Sequence, residues 1–320
     1  KPVSMKKIQM VDLQGQYSNI KKTIDSSIEE VLNSSAYING PYVHQFQADL
    51  EKYLSVKHVI PCANGTDALQ IAMMGLGLEQ GDEVITVDFT FAATVEVIAL
   101  LKLTPVLIDV EPDTFNIDID ALKKAITPKT KAIMVVQMCG SMGDLDALSA
   151  ICAENNLVFI EDACQAIGGS YKNKPLGSIG DLGCFSFDFV KTITCGEGGA
   201  VITNNTKYYE HADHFSDHGH DHIGNDRGAE SHPFLGYNFR ISELHAAVGL
   251  AQIKRLDDFV GIQKKHYTII REALAVLPEI TFRAVPEGGV ESYAFLNFFL
   301  PDAETASKVS LAFKANGIDA

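Results

Sequence analysis

Short apolar runs alternate with amphipathic stretches along most of the chain. Runs rich in Val, Ile and Phe predict six strands, at residues 84–87, 105–109, 132–136, 158–160, 183–187 and 199–203. Runs that are apolar on both faces, several of them separated by helical stretches, are typical of a mostly parallel sheet with helices on both sides. The pattern therefore predicts an α/β fold.

Helical periodicity is strongest near the two ends of this region. It predicts one helix over residues 20–32, broken by the Asn-Gly-Pro cluster at 39–41, and another from residue 242 through about residue 277. Two further apolar runs, at 280–282 and 293–300, predict strands of a second domain. We therefore expect a large domain over residues 1–255 and the start of a smaller C-terminal α/β domain over 256–320, incomplete at residue 320.

Lys191 stands between an apolar run and a glycine-rich segment at 196–199. A lysine amine becomes a nucleophile towards aldehydes when apolar surroundings suppress its charge. Phe185, Phe187, Phe189 and Val190 are the residues expected to form such walls. The same local pattern also fits a solvated lysine at the end of a strand.

Asp162 follows the apolar run 157–160. Ligands of open α/β sheets bind outside the carboxyl ends of the strands, so Asp162 is expected to face the same crevice as Lys191. A carboxylate in that place keeps a pyridine nitrogen protonated, as pyridoxal 5′-phosphate (PLP) requires. The alternative is that Asp162 caps a following helix.

A glycine and a hydroxyl residue open the amphipathic stretch 65–76. Amides at a helix N-terminus are unsatisfied and lie at the positive end of the helix dipole, so Gly65, Thr66 and the amide of Asp67 are expected to hold a phosphate. Ser186, five residues before Lys191, is a second hydroxyl for the same group. An ordinary Thr or Asp helix cap explains the same residues without a ligand.

Several motifs occur together in a fixed order, which is more specific than any one of them. They are DLQGQY at 12–17, NGTDAL at 64–69, DFTFAAT at 88–94, EDACQ at 161–165, FSF at 185–187 followed by Lys191, and GYNFR at 236–240. In this order they resemble the sugar aminotransferases of the DegT/DnrJ/EryC1/StrS group, which have the aspartate-aminotransferase (PLP-dependent, type I) fold.

The resemblance implies a PLP-dependent aminotransferase with glutamate as the amino donor. It implies that Lys191 forms the Schiff base with the cofactor and that Asp162 meets the pyridine nitrogen. It further implies stacking by Phe91, a contact of Gln165 with the 3-hydroxyl, and phosphate binding by Thr66 and Ser186. Asn238 is implied to reach the phosphate of a neighbouring subunit, which predicts a homodimer with shared active sites.

Two segments depart from the family pattern and bear on the substrate. They are the turn at 137–144 and a loop at 213–232 rich in His, Asp and Gly. The loop is expected either to be solvated or to hydrogen-bond a polyhydroxylated acid through His218 and His220, with Arg227 or Arg240 binding the carboxylate. Its histidine spacing lacks the rigidity of a metal site, and no metal is predicted.

Both departures resemble the octulosonate 8-aminotransferase branch of the family, which makes 8-amino-Kdo, a lipopolysaccharide sugar. The alternative acceptor is a nucleotide-linked ketosugar. A dehydratase of the same fold, with histidine at the lysine position, is disfavoured by Lys191. A non-catalytic regulatory protein would leave Lys191, Asp162, Gln165 and Ser186 unexplained.

The composition of the chain limits its expected partners and cellular location. The formal net charge of −15 disfavours nucleic acid as a partner. No apolar run has transmembrane length and the first residues lack the apolar core of a signal peptide, so no membrane association is expected. The six cysteines have no paired spacing, which indicates reduced thiols in a cytoplasmic protein.

Overall fold

The computed structural model describes residues 8–223, 229 and 231–318. Helices α1 to α10 span Leu13–Ser34, Pro41–Leu54, Gly65–Met74, Ala92–Leu100, Ile119–Ala125, Leu145–Asn155, Thr206–Ser216, Glu243–Ile253, Leu256–Leu274 and Ala303–Ala315. Strands β1 to β12 span His58–Cys62, Glu83–Val87, Thr104–Ile108, Thr130–Val136, Val158–Asp162, Ser170–Tyr171, Lys174–Pro175, Leu182–Ser186, Gly199–Thr203, Thr281–Phe282, Gly289–Val290 and Phe298–Phe299.

The central sheet has seven strands in the order β1-β9-β8-β5-β4-β2-β3. Strands β8, β5, β4, β2 and β3 pair in parallel, whereas β9 runs antiparallel to both of its neighbours. All six predicted strands of this sheet are present. Strand β1 was not predicted, because its sequence contains Pro61 and is short; a proline is tolerated there since β1 lies at the edge of the sheet.

The core is divided by the sheet into two layers. Successive residues of one strand enter opposite layers, as a side-chain period of two requires. Ile85, Ile133 and Phe185 belong to the layer that also contains Phe46 of α2, whereas their neighbours Val84, Ala132 and Cys184 belong to the layer that contains Leu69 of α3. Helices therefore cover both faces, and the carboxyl ends of the parallel strands remain as an open edge.

Two helical predictions differ from the structure in their bounds. The first helix begins at Leu13, earlier than predicted, because the carboxylate of Asp12 accepts a hydrogen bond of 2.9 Å from the amide of Gly15. The long helix predicted from residue 242 is two helices, α8 and α9, which meet between Ile253 and Leu256. The predicted domain boundary at 255/256 falls at this break and stays a prediction.

The C-terminal region contains less strand than its apolar residues predict. Of the predicted strands at 280–282 and 293–300, two residues each form the antiparallel pair β10–β12. In the parts of the chain that the structure describes, no helix is both long and apolar enough to cross a membrane.

Candidate active site

A cavity of about 600 Å³ opens at the carboxyl edge of the sheet. It is lined by the ends of β4, β5 and β8, the N-termini of α3 and α4, and the loop between β8 and β9. Eight of the nine candidate cofactor residues line it, namely Gly65, Thr66, Asp67, Phe91, Asp162, Gln165, Ser186 and Lys191. The fold thus brings together residues that are up to 126 positions apart in sequence, from Gly65 to Lys191.

Asp162 is the last residue of β5 and is 6% exposed. Its Oδ2 accepts a hydrogen bond of 2.8 Å from the hydroxyl of Thr94, and its Oδ1 accepts one of 3.3 Å from the amide of Cys164. A turn, not a helix, follows β5, so the alternative role of Asp162 as a helix cap is wrong. Thr94 was missed at the sequence level, although it lies inside the quoted motif at 88–94.

The phosphate end of the cavity is built differently from the prediction in one respect. Helix α3 is capped by Asn64, whose Oδ1 accepts the amide of Asp67 at 2.8 Å, so neither Thr66 nor Asp67 is the cap and the Asp67 amide is already used. The amides of Gly65 and Thr66, which precede any intrahelical acceptor, have no protein acceptor among the described residues.

The close approach of α3 to β8 fits a phosphate group. A Cβ at Gly65 would lie 2.6 Å from the Cβ of Ser186 and 3.0 Å from its hydroxyl. Gly65 thus allows the amides of Gly65 and Thr66, which have no protein acceptor among the described residues, to lie beside the Ser186 hydroxyl, as binding of a phosphate monoester requires. We call these three groups the phosphate cradle. The buried carboxylate of Asp162, Lys191 and the phosphate cradle lie in one cavity and fit PLP.

Lys191 lies on the loop at 187–198 between β8 and β9 and is partly exposed in the cavity. The predicted apolar walls are mostly wrong. Phe185 and Phe187 are 1% and 0% exposed and belong to the sheet core, and Phe189 is 54% exposed to solvent. Val190 alone of the four lines the cavity. Side chains alternate between the two faces along β8 and the residues that follow it, so the rings of Phe185 and Phe187 point away from the site.

Phe91 and Gln165 also line the cavity. Phe91 precedes α4 and is 71% exposed, which leaves its ring available for stacking. The Oε1 of Gln165 accepts a hydrogen bond of 2.7 Å from the amide of Cys139. Because a backbone amide only donates, the Nε2 of Gln165 remains as a donor. Cys139 lies in the turn at 137–144, which departs from the family pattern. This turn therefore orients the side chain of Gln165.

The three candidate substrate residues that the structure describes, His218, His220 and Arg240, do not line this cavity. Arg240 is ion-paired with the buried Asp217 and lines a separate cavity of about 530 Å³. His218 is exposed, and His220 is buried against the ring of His232, with 4.1 Å between centroids. None of these three side chains lines either cavity that contains Lys191. Arg227 lies outside the described residues.

His222 contacts two carboxylates through its ring nitrogens. Its two ring nitrogens lie 2.8 Å from Asp213 and 3.3 Å from Asp217. Hydrogen bonds to these carboxylates raise the pKa of His222 from 6.5 to about 10. Among the described residues, no cluster of His, Cys, Asp or Glu is arranged to hold a metal ion.

Asn238 is exposed, and its backbone bridges to Asp217. It does not line the cavity that contains Lys191. Its predicted contact with the cofactor phosphate is therefore not made within one chain, and the role across subunits stays a prediction.

The sheet topology and the lysine–aspartate cavity define a PLP-dependent enzyme of the aspartate-aminotransferase type. The chain belongs to the DegT/DnrJ/EryC1/StrS aminotransferase family, whose model matches residues 18–320. Members of this family use PLP, so the predicted cofactor, fold class and enzyme class are confirmed. The protein is a sugar aminotransferase.

The chain is similar to proteins with different named roles. A Pseudomonas aeruginosa UDP-2-acetamido-2-deoxy-3-oxo-D-glucuronate aminotransferase is 39% identical over 81% of this chain and 70% of its own length. A Geobacillus stearothermophilus "pleiotropic regulatory protein" is 40% identical over 84% of this chain and 72% of its own. The crystal structure of S. venezuelae DesV matches 98% of this chain and 82% of its own with a TM-score of 0.90 and 30% identity.

Proposed function

We propose that this sugar aminotransferase moves an amino group from glutamate to the C8 carbonyl of 8-oxo-3,8-dideoxy-D-manno-octulosonate (8-oxo-Kdo). The product would be 8-amino-Kdo for lipopolysaccharide. The observation that carries the proposal is the 2.7 Å hydrogen bond from Cys139 to Gln165, because it links the turn that departs from the family pattern to the reacting cavity. A change in this turn therefore reaches the reacting cavity through Gln165.

The described residues divide the cofactor's binding between two ends of the cavity. Asp162 would meet the pyridine nitrogen, and Gly65, Thr66 and Ser186 would hold the phosphate. Phe91 would cover one face of the ring, and the Nε2 of Gln165 would donate to the 3-hydroxyl oxygen. When bound, PLP supplies an aldehyde that carries the amino group and a protonated ring that takes up electrons from the reacting carbon.

Lys191 is the only lysine among the described residues that line this cavity. Its amine would bind the cofactor covalently and, once displaced by the amino donor, would act as the base that takes the proton from the donor's Cα. The same amine would return a proton in the second half-reaction. The position of Lys191 suits both covalent binding and proton transfer, because its loop at 187–198 is held by two neighbouring strands, β8 and β9.

A homodimer with shared sites is part of the proposal. Asn238 is flanked by exposed apolar side chains, with Leu235 92% and Tyr237 56% exposed. Such a surface suits a second copy of the chain, which would bring Asn238 to the partner's phosphate and the Arg240 region near the partner's sugar. We also assign the enzyme to the cytoplasm, because all six cysteines are free thiols.

The test uses the purified protein loaded with PLP. Glutamate should be converted to 2-oxoglutarate, and 8-oxo-Kdo should then be aminated in preference to a UDP-linked 3-ketosugar. Lys191→Ala should abolish both steps while retaining cofactor through its phosphate. Preference for the nucleotide sugar would replace the Kdo proposal by the activity named for the P. aeruginosa relative. Failure to deaminate any donor would favour a regulatory role like that named for the Geobacillus relative.

A further inference from the structure

A second, smaller cavity of about 130 Å³ adjoins the first at Lys191. The two share Cys164, Gln165, Val190 and Lys191 as a common wall. The smaller cavity is closed by the start of α1, by α9 and by the segment at 294–295. A group that reacts next to Lys191 therefore extends either into the larger cofactor cavity or into this smaller one.

Two glutamines of the smaller cavity have unsatisfied acceptors. The Oε1 atoms of Gln16, on α1, and of Gln263, on α9, are buried and receive no hydrogen bond from any described residue. An acceptor removed from water without a donor is unfavourable, so a site with two of them is complementary to a ligand that donates. A carboxamide oxygen accepts hydroxyl or ammonium hydrogens equally well.

The charge of the cavity wall limits the ligand further. Asp12 contributes a carboxylate, and Lys191 is the one cationic side chain among the described residues of the wall. A carboxylate or phosphate of the acceptor sugar would find no arginine there and would face Asp12. A volume of about 130 Å³ holds a few non-hydrogen atoms, which excludes a nucleotide.

We propose that this cavity is a subsite for the hydroxyl-bearing carbons next to the reacting carbonyl, with Gln16 and Gln263 as their acceptors. The proposal rests on the proposed function and deepens it. The reacting end of the acceptor is neutral and carries a hydroxyl on the adjacent carbon, and any acidic group lies at the distant end. In 8-oxo-Kdo the adjacent hydroxyl is on C7 and the carboxylate is at C1, so this sugar satisfies both conditions.

The test compares two substitutions with a matched control. Gln16→Met and Gln263→Met each remove an amide oxygen without a donor at similar volume. Gln252→Met is the control, because the Oε1 of Gln252 is also buried without a donor but its residue lies on α8 and lines neither of these two cavities. Each protein is assayed with 8-oxo-Kdo and with its 7-deoxy analogue, and the melting temperature is measured without cofactor.

We expect each subsite variant to lower kcat/KM for 8-oxo-Kdo about ten times more than it lowers the rate of the glutamate step. The wild-type preference for the 7-hydroxyl should be lost in these variants and kept in Gln252→Met. The melting temperature should stay the same or rise in all three, since each loses an unsatisfied acceptor.

Three results would overturn the inference. A fall in melting temperature confined to the subsite variants would show that the two amides are paired in the protein. Equal acceptance of both sugars by the wild type, with a normal glutamate step, would contradict the subsite alone. Turnover of glutamate with neither sugar would contradict the proposed acceptor and the subsite with it.

Discussion

The hydroxyl of Thr94 donates to the carboxylate of Asp162 over 2.8 Å, from a side chain that is 0% exposed. A carboxylate only accepts, so the hydrogen of Thr94 points to Asp162. Thr90 lies 2.8 Å from the same hydroxyl oxygen and must then donate to it. The two threonines form a chain with one direction, which ends on the carboxylate assigned to the cofactor's ring nitrogen.

Loss of the Thr94 hydroxyl should impair catalysis without unfolding the protein. In Thr94→Val the buried Oδ2 of Asp162 loses its donor, and we expect kcat to fall about ten- to a hundredfold, in line with an unmade buried hydrogen bond to a charged group. Steady-state kinetics with glutamate and the visible absorbance of the loaded enzyme are the measurements. Thr94→Ser keeps the hydroxyl and should recover most of the rate; equal loss in both variants would assign the effect to packing.

Gly65→Ala should weaken cofactor binding. The new Cβ would lie 2.6 Å from the Cβ of Ser186 and 3.1 Å from the sulfur of Cys164, so α3 and β8 must separate at the phosphate cradle. We expect the Kd for PLP, measured by fluorescence titration, to rise at least about tenfold. Gly261→Ala is the control, because nothing lies within 4 Å of its added Cβ; an equal Kd in both variants would contradict the cradle.

The contacts of His222 with Asp213 and Asp217 predict that the stability of the protein depends on pH. The pKa of His222 is raised from 6.5 to about 10 by Asp213 and Asp217, so the stabilising contribution of these contacts is complete below pH 6.5 and is lost as the pH rises to about 10. The free energy of unfolding of the wild type should therefore approach that of His222→Gln across this window. Urea denaturation at pH 6.5, 8 and 10 measures the difference, and a constant difference would refute the ion pairs.

Glu161 should be important for stability. Its fully buried carboxylate accepts amides of Gly177, Ile179 and Gly180 at 2.7–2.9 Å and the side chain of Gln137 at 2.8 Å. Burial raises the pKa of Glu161, and these donors act in the opposite direction.

In Glu161→Gln an amide NH₂ must face at least one of these donors. We expect the free energy of unfolding to fall by about 2–4 kcal/mol, as measured in urea. The exposed Glu210→Gln should change it by less than about 0.5 kcal/mol. A loss in Glu161→Gln no larger than in this control would mean that the amides find other acceptors.

The sequence predicted the sheet and the cavity because both depend on local pattern. Buried strands are apolar on both faces, and the chain leaves each parallel strand at the same edge, which brought Asp162 and Lys191 together as expected. The edge strand β1 escaped prediction since a proline interrupts its five residues. The first helix was recognised from its apolar stripe, but its true start depended on the cap at Asp12.

Side-chain roles were harder to predict because they depend on partners distant in sequence. Asn64 competes with a phosphate for the amide of Asp67, and only the folded turn decides which acceptor wins. Arg240 was expected to be available for a carboxylate substrate, yet Asp217 occupies it within the chain. Phe185 and Phe187 face the core because strand pleating, not hydrophobicity, fixes the direction of their side chains.

Gly199 joins the two halves of the phosphate cradle. It is registered opposite both Ser186 of β8 and Cys62 of β1, and a Cβ there would lie 2.3 Å from the carbonyl oxygen of Asn64. Every other amino acid would wedge the strand that follows the lysine loop away from the turn that opens α3. Gly199 therefore cannot be replaced in evolution without disturbing its contact with Asn64. New sugar specificities must therefore leave this contact unchanged and arise at other residues of the cavity wall.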